Sequence, residues 1–176
     1  MKKTLNPVSS LGALALFALN FAPLAALAQT TAPALSAPAA SAPALKPVYN
    51  EQADARADLN LALNAANAQH KNVLVVFGAN WCGDCRALDR KMGEGQLAAH
   101  VAKRLVVLKV DVGRFNRNTD LAAQMGVSLK KGIPAVAVLK NDGEVLRATN
   151  GGELADARNM GDEAVLRVLE GLHSKP

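Results

Sequence analysis

The chain has 176 residues, 50% of them hydrophobic, with a formal net charge of +5 and only six aromatic side chains. So mild a positive charge and so few rings supply neither the basic patch nor the stacking platforms of nucleic-acid binding, and such a partner is set aside. The length beyond an N-terminal leader suits about one domain.

Residues 1–28 have the pattern of a secretory leader. Lys2 and Lys3 form a basic start, an apolar run follows from Leu11 to Leu27, and Ala26-Leu27-Ala28 gives the small-x-small pattern that precedes cleavage. Asn20 and Pro23 interrupt the apolar run, which argues against a permanent span, and no cysteine lies near the cut to carry a lipid. The expectation is an exported, periplasmic protein that is soluble after cleavage. Residues 29–46 form an Ala/Pro/Ser tract too poor in burial potential to offset its ordering entropy, and read as a disordered tether. The folded domain is then 47–176.

Leu59, Ala62, Leu63 and Ala66 recur at helical spacing and predict an amphipathic helix over 51–69. Val73 to Phe77 is a short, continuous, β-branched run, the pattern of a strand buried on both faces. Cys82 opens a second helix carrying Leu88 and Met92; Gly93 and Gly95 interrupt it, and it resumes from Leu97 to Lys103. Leu105 to Val110 predicts a second strand ending in Asp111. Thr119 is the expected N-cap of a short helix ending at Met125 and Gly126. Ala135 to Leu139 predicts a third strand, Asn141-Asp142-Gly143 a hairpin turn, and 144–149 a fourth strand. Val165, Val168, Leu169 and Leu172 mark a last helix with Asp162 as its cap. Helical crossovers between the early strands imply parallel pairing, and the hairpin adds an antiparallel edge. The fold class is α/β, a small mixed sheet of about four strands with helices on both faces.

The only cysteines are Cys82 and Cys85. A disulfide between them would close so short a loop that it would constrain the unfolded chain little, so thiol chemistry is favoured over a structural staple. Zinc would need two further ligands, and His70, His100 and His173 do not occur at the spacing of a second ligand pair. No metal is therefore expected. A helix start directs unpaired N–H groups and partial positive charge outward, so Cys82 is expected to have a lowered pKa and to be the attacking thiolate. Cys85, one turn further in and more buried, suits the resolving role. Asp84 between them would oppose the helix by raising a thiol pKa.

Trp81-Cys82-Gly83-Asp84-Cys85 after a buried strand, with Gly132-Ile133-Pro134 before a later one, resembles the thioredoxin fold over roughly residues 49–172. The GANWCGDCRALD stretch looks most like single-domain exported relatives of the C-terminal domain of the transmembrane disulfide reductase DsbD. The resemblance implies a cis Ile133-Pro134 bond lying against the cysteines, and a substrate surface made by Trp81, Ile133 and Pro134. Without it, the lesser alternative for Trp81 is simple packing, and Pro134 reads as an ordinary strand entry. Thioredoxins carry a buried acid six residues before the first cysteine; here that position is Val76. Lys109 matches a lysine that accompanies this acid. Arg86, Lys130 and Lys131 are further cations that could rim the site, against the plainer reading of surface charges.

The activity implied is thiol–disulfide exchange with protein substrates, with no cofactor beyond a Cys82–Cys85 disulfide. Ile133 before the proline favours a reductase or electron carrier. An oxidising compartment then requires an electron supply, such as a membrane reductase. A monomer is expected. The alternative is a thioredoxin-like binding or chaperone module with little turnover, motivated by the missing acid at Val76.

Overall fold

A computed structural model describes residues 46–173. The leader at 1–28 and the tether at 29–46, apart from Lys46, lie outside the described residues. Among the described residues no helix is long and apolar enough to cross a membrane.

The element order is α1 (Ala55–Gln69), β1 (Asn72–Gly78), α2 (Gly83–Gly93), α3 (Gly95–Arg104), β2 (Leu105–Asp111), α4 (Thr119–Gln124), β3 (Ala135–Leu139), β4 (Val145–Ala148) and α5 (Asp162–His173). The four strands form one mixed sheet in the order β2-β1-β3-β4. β1 pairs in parallel with β2, placing Val76 beside Lys109. It pairs antiparallel with β3, and β3 with β4. The sequence reading of four strands, one parallel pair and an antiparallel hairpin at the edge is borne out.

Alternation along β1 divides the interior into two layers. Val73, Val75 and Phe77 pack with Ala62 and Ala66 of α1 and Leu121 and Ala122 of α4. Leu74 and Val76 pack with Leu88 of α2, Val101 of α3 and Leu169 of α5. β1 has helices on both faces and strands on both sides, which is why its run carries no polar residue from Val73 to Phe77.

Among the boundaries that differ from expectation, three have clear local causes. α1 begins four residues later than predicted, because the Asp54 carboxylate accepts from the N–H groups of Arg56 and Ala57 and caps it there. The N-cap of α4 is Asn118 and not Thr119; Asn118 has φ 53° and sends its amide to the Asp111 carbonyl. Asp162 is the first residue of α5, and its carboxylate accepts from Lys91 Nζ at 2.9 Å, tying α5 to α2. Between β4 and α5 lies an irregular stretch with no periodicity to announce it. It is held by Leu154 and Ala157, both fully buried.

Candidate active site

β1 ends at Gly78, and the chain turns through Ala79-Asn80-Trp81 into α2. Cys82 is the N-cap of α2, with extended φ −78° and ψ 117°. Its Sγ accepts the N–H of Cys85 at 3.2 Å, the place a serine or aspartate oxygen takes in ordinary capping. The Ile133-Pro134 peptide is cis. The Ile133 carbonyl accepts the Cys82 thiol at 3.4 Å, so this loop lies directly against the sulfur. Both thiols are free.

Both sulfurs are almost covered. Cys82 retains 5% of its surface and Cys85 1%. The order is as expected, but the first sulfur sits in a recess beside the Ile133-Pro134 loop and does not stand on an open helix tip.

The Cys82 thiol is lowered from its ordinary value to about 7. The largest cause is a hydrogen bond from the Cys85 side chain; burial opposes it, and the N–H groups of Cys85 and Asp84 add to it. The sequence argument named the helix start, which is the smaller influence. Cys85 is pushed up, first by that same hydrogen bond and then by burial. When Cys82 loses its proton, the one that remains on the pair is held by Cys85.

Asp84 faces away from this pair. Its Oδ1 accepts from the backbone N–H and the Nε of Arg158, at 3.0 and 3.1 Å. The Arg158 side chain also lies over Gly83, where an added Cβ would come within 3.1 Å of it. The acid inside the motif thus has its own counter-ion, supplied by the irregular stretch before α5.

Trp81 is 44% exposed. Its Nε1 donates to the Gly113 carbonyl at 2.8 Å, its ring meets Phe115 edge-on at 6.0 Å, and the Arg114 guanidinium stands 5.1 Å above it. Beyond Phe115 runs a groove of about 550 Å³ lined by Val127, Leu129 and Lys130. Trp81 is a surface platform and not core packing. Ile133 and Pro134 are buried beside the cysteines, and Lys130 and Lys131 are exposed in the single turn that leads to them.

Arg86 and Lys109 fall elsewhere. Arg86 donates from Nη1 to the Asn80 carbonyl at 2.5 Å. Lys109 pairs with Asp89. Both line a polar cavity of about 380 Å³ together with Asp89 and Arg90.

The sequence reading missed Tyr49, Asn80, Asp89 and Arg158. Asn80 Oδ1 accepts the N–H groups of Val48 and Tyr49, each at 2.9 Å, and its Nδ2 donates to the Tyr49 carbonyl at 2.9 Å and to Glu51 at 2.8 Å. That clamp brings the Tyr49 ring, 2% exposed, beneath the cysteines. Its hydroxyl and the Cys85 sulfur close in on Gly78 together, and the phenol lowers that thiol. Tyr49 was visible only as the single tyrosine of an aromatic-poor chain.

A thioredoxin-like family profile matches residues 54–141. Among solved structures, a disulphide isomerase from Xylella fastidiosa Temecula1 superposes with a TM-score of 0.70 at 44% identity, covering 74% of this chain and 100% of that one. A protein disulfide-isomerase of Datisca glomerata is 27% identical over 116 residues, which is 62% of this chain and 22% of that protein. Thioredoxin-T of Drosophila melanogaster is 38% identical over 61 residues, 35% of this chain and 36% of that protein. The chain therefore spans about a fifth of the length of the disulfide-isomerase from Datisca that it matches.

Proposed function

Because the chain belongs to the thioredoxin-like family, we propose that it is an exported thiol–disulfide oxidoreductase exchanging disulfides with protein substrates through Cys82 and Cys85. One observation carries the reading: Cys82 Sγ, the N-cap of α2, is lowered to about 7 while Cys85 beside it keeps its proton. At neutral pH about half of Cys82 is then thiolate, against about 1% for a thiol at its ordinary value of 9.0.

In the reducing direction, the Cys82 thiolate attacks one sulfur of a substrate disulfide. A Cys82–substrate bond forms, and the second substrate sulfur leaves as a thiolate that takes a proton from water. Cys85 then loses its proton and attacks Cys82 Sγ. The mixed disulfide breaks, the other substrate sulfur departs and is protonated, and the Cys82–Cys85 disulfide remains. Two electrons pass to the substrate. Once Cys82 carries no proton it no longer donates to Ile133, so the Ile133 carbonyl becomes free to accept an N–H from an extended substrate segment. The Trp81–Phe115 platform supplies an apolar seat beside it.

The finer assignments are a reductase or electron carrier, from Ile133 ahead of Pro134; a periplasmic location, from residues 1–28; and a membrane reductase as electron donor. The need to resupply electrons in an oxidising compartment motivates the last, and a monomer is the simplest state for such a shuttle. Insulin reduction tests the activity: Cys82→Ser abolishes it, and Cys85→Ala accumulates mixed disulfides with substrates in the native compartment. A Cys82→Ser protein that still reduces insulin would falsify the reading.

The low exposure of both sulfurs favours one competing reading, a binding module that holds apolar segments on the Trp81–Phe115 face with little turnover. Partner capture that survives Cys82→Ser unchanged would select it.

A further inference from the structure

β1 must end in glycine at position 78 for a reason visible in the packing. A Cβ there would collide with the Tyr49 hydroxyl and stand 2.9 Å from Cys85 Sγ. The hydroxyl and the sulfur thus converge on the space left by one missing side chain. The phenol is placed there by Asn80, which grips the backbone on both sides of Tyr49, and Asn80 is itself held through its carbonyl by Arg86. Residues flanking the cysteine motif therefore fix a tyrosine that lies more than thirty positions upstream of it.

The position six residues before Cys82 holds Val76, which is buried among Leu74, Leu88 and Val136 in the opposite layer of the fold. No carboxylate is placed there to receive the Cys85 proton. The carboxylate whose charge reaches Tyr49 is Asp89, and it is paired with Lys109. Asp84 is occupied by Arg158. The group that does touch Cys85 is a phenol.

We propose that Tyr49 is a catalytic residue of the release step, its hydroxyl donating a hydrogen bond to Cys85 Sγ as that sulfur becomes a thiolate and attacks Cys82. This rests on the reading of Cys82 as nucleophile and Cys85 as resolving thiol. In the step, the Cys85 S–H bond is broken, the Cys82–Cys85 bond forms, and the Cys82–substrate bond breaks. The departing substrate sulfur carries away the electron pair and ends with a proton in place of the one Cys85 gave up. Tyr49 neither gains nor loses a proton over the cycle. It serves as donor and not as base because burial and the surrounding negative groups, Cys85, Cys82 and Asp89, all hold the phenol in its protonated form. On Cys85 the contact acts in the required direction, opposing the rise imposed by burial. The chain thus uses hydrogen-bond donation to a developing thiolate where a thioredoxin uses a carboxylate.

The test follows the two phases with which the reduced protein consumes an aromatic disulfide that releases a coloured thiol. The first phase reports attack by Cys82 and the second reports attack by Cys85. With Tyr49→Phe the first phase is expected to change less than about twofold, and the second to slow about tenfold, the scale of one hydrogen bond to a charged group. Because Tyr49 is the only tyrosine, growth on a ring-fluorinated tyrosine alters this one site. The more acidic phenol is a stronger donor and should speed the second phase by about twofold. This arm holds even if Tyr49→Phe does not fold. A rapid first phase with a second phase unmoved by either change overturns the Tyr49 assignment alone. Absence of the first phase in the unmodified protein overturns the reading of Cys82 and this proposal with it.

Discussion

At the scale of single residues, the unequal acidity of two adjacent thiols is the central property, and its cause is more local than a helix terminus. The largest influence on Cys82 is the proton of Cys85, so removing that proton should undo about half of the effect. Cys85→Ala is expected to raise the Cys82 midpoint by about one unit, read from the pH dependence of its alkylation rate; a midpoint still near 7 would assign the shift to the α2 amides. Asp84 acts the other way, its charge raising Cys82. Asp84→Asn removes that charge and leaves Arg158 without its counter-ion, so the same titration should show a midpoint below that of the parent protein. Stability of the reduced form follows from the signs. Cys82 is lowered in the folded state, so its contribution is present above the ordinary thiol value and is lost as pH falls through about 7. Cys85 is raised, so its contribution is present below the ordinary value and is lost as pH climbs beyond it. Against a Cys82→Ala/Cys85→Ala variant, urea midpoints of the reduced protein should therefore rise between pH 7 and 9 and fall above.

At the scale of elements, the sequence disclosed what depends on neighbours along the chain. Val73 to Phe77 and Ala135 to Leu139 are uninterrupted apolar runs, and only a strand covered on both faces accepts them. The cysteines showed in the same way, because the first turn of α2 alone brings their sulfurs together. What stayed hidden depends on contacts remote in sequence. The Tyr49–Asn80 clamp joins positions 31 apart, and Asp84 meets Arg158 across 74; no periodicity announces either. Val76 was correctly seen to be no acid, but nothing local said that the vacancy would be met by a phenol from the segment ahead of α1. Asn80→Ala tests how much that segment depends on the turn after β1. It leaves the N–H groups of Val48 and Tyr49 and the Tyr49 carbonyl without their partner. The expected loss is about 2–3 kcal/mol in urea unfolding, at about 1 kcal/mol per partly buried hydrogen bond.

At the scale of the whole molecule, the sheet separates what holds the fold together from what performs the chemistry. Cys82, Cys85, Tyr49 and Ile133 belong to the layer that includes α1 and α4, whereas Leu169 and Leu154 belong to the layer behind, with α3 and α5. Both leucines are fully buried, so truncating either to alanine should cost about 3 kcal/mol through lost burial and the cavity left behind. Their effects on the site should differ. Leu169 lies in α5, outside the stretch that carries Arg158, and packs in the layer behind the sheet with Leu88 of α2 and Val101 of α3. Leu154 anchors the irregular stretch whose Arg158 neutralises Asp84 and covers Gly83. Leu154→Ala loosens that anchor, so Asp84 loses its counter-ion part of the time and its negative charge acts on Cys82 undiminished, which raises the thiol. Urea unfolding should therefore show similar losses for Leu169→Ala and Leu154→Ala, while alkylation against pH leaves Cys82 near 7 in the first and moves it upward in the second. Equal midpoints in the two variants would mean that the stretch before α5 packs against the site without tuning it.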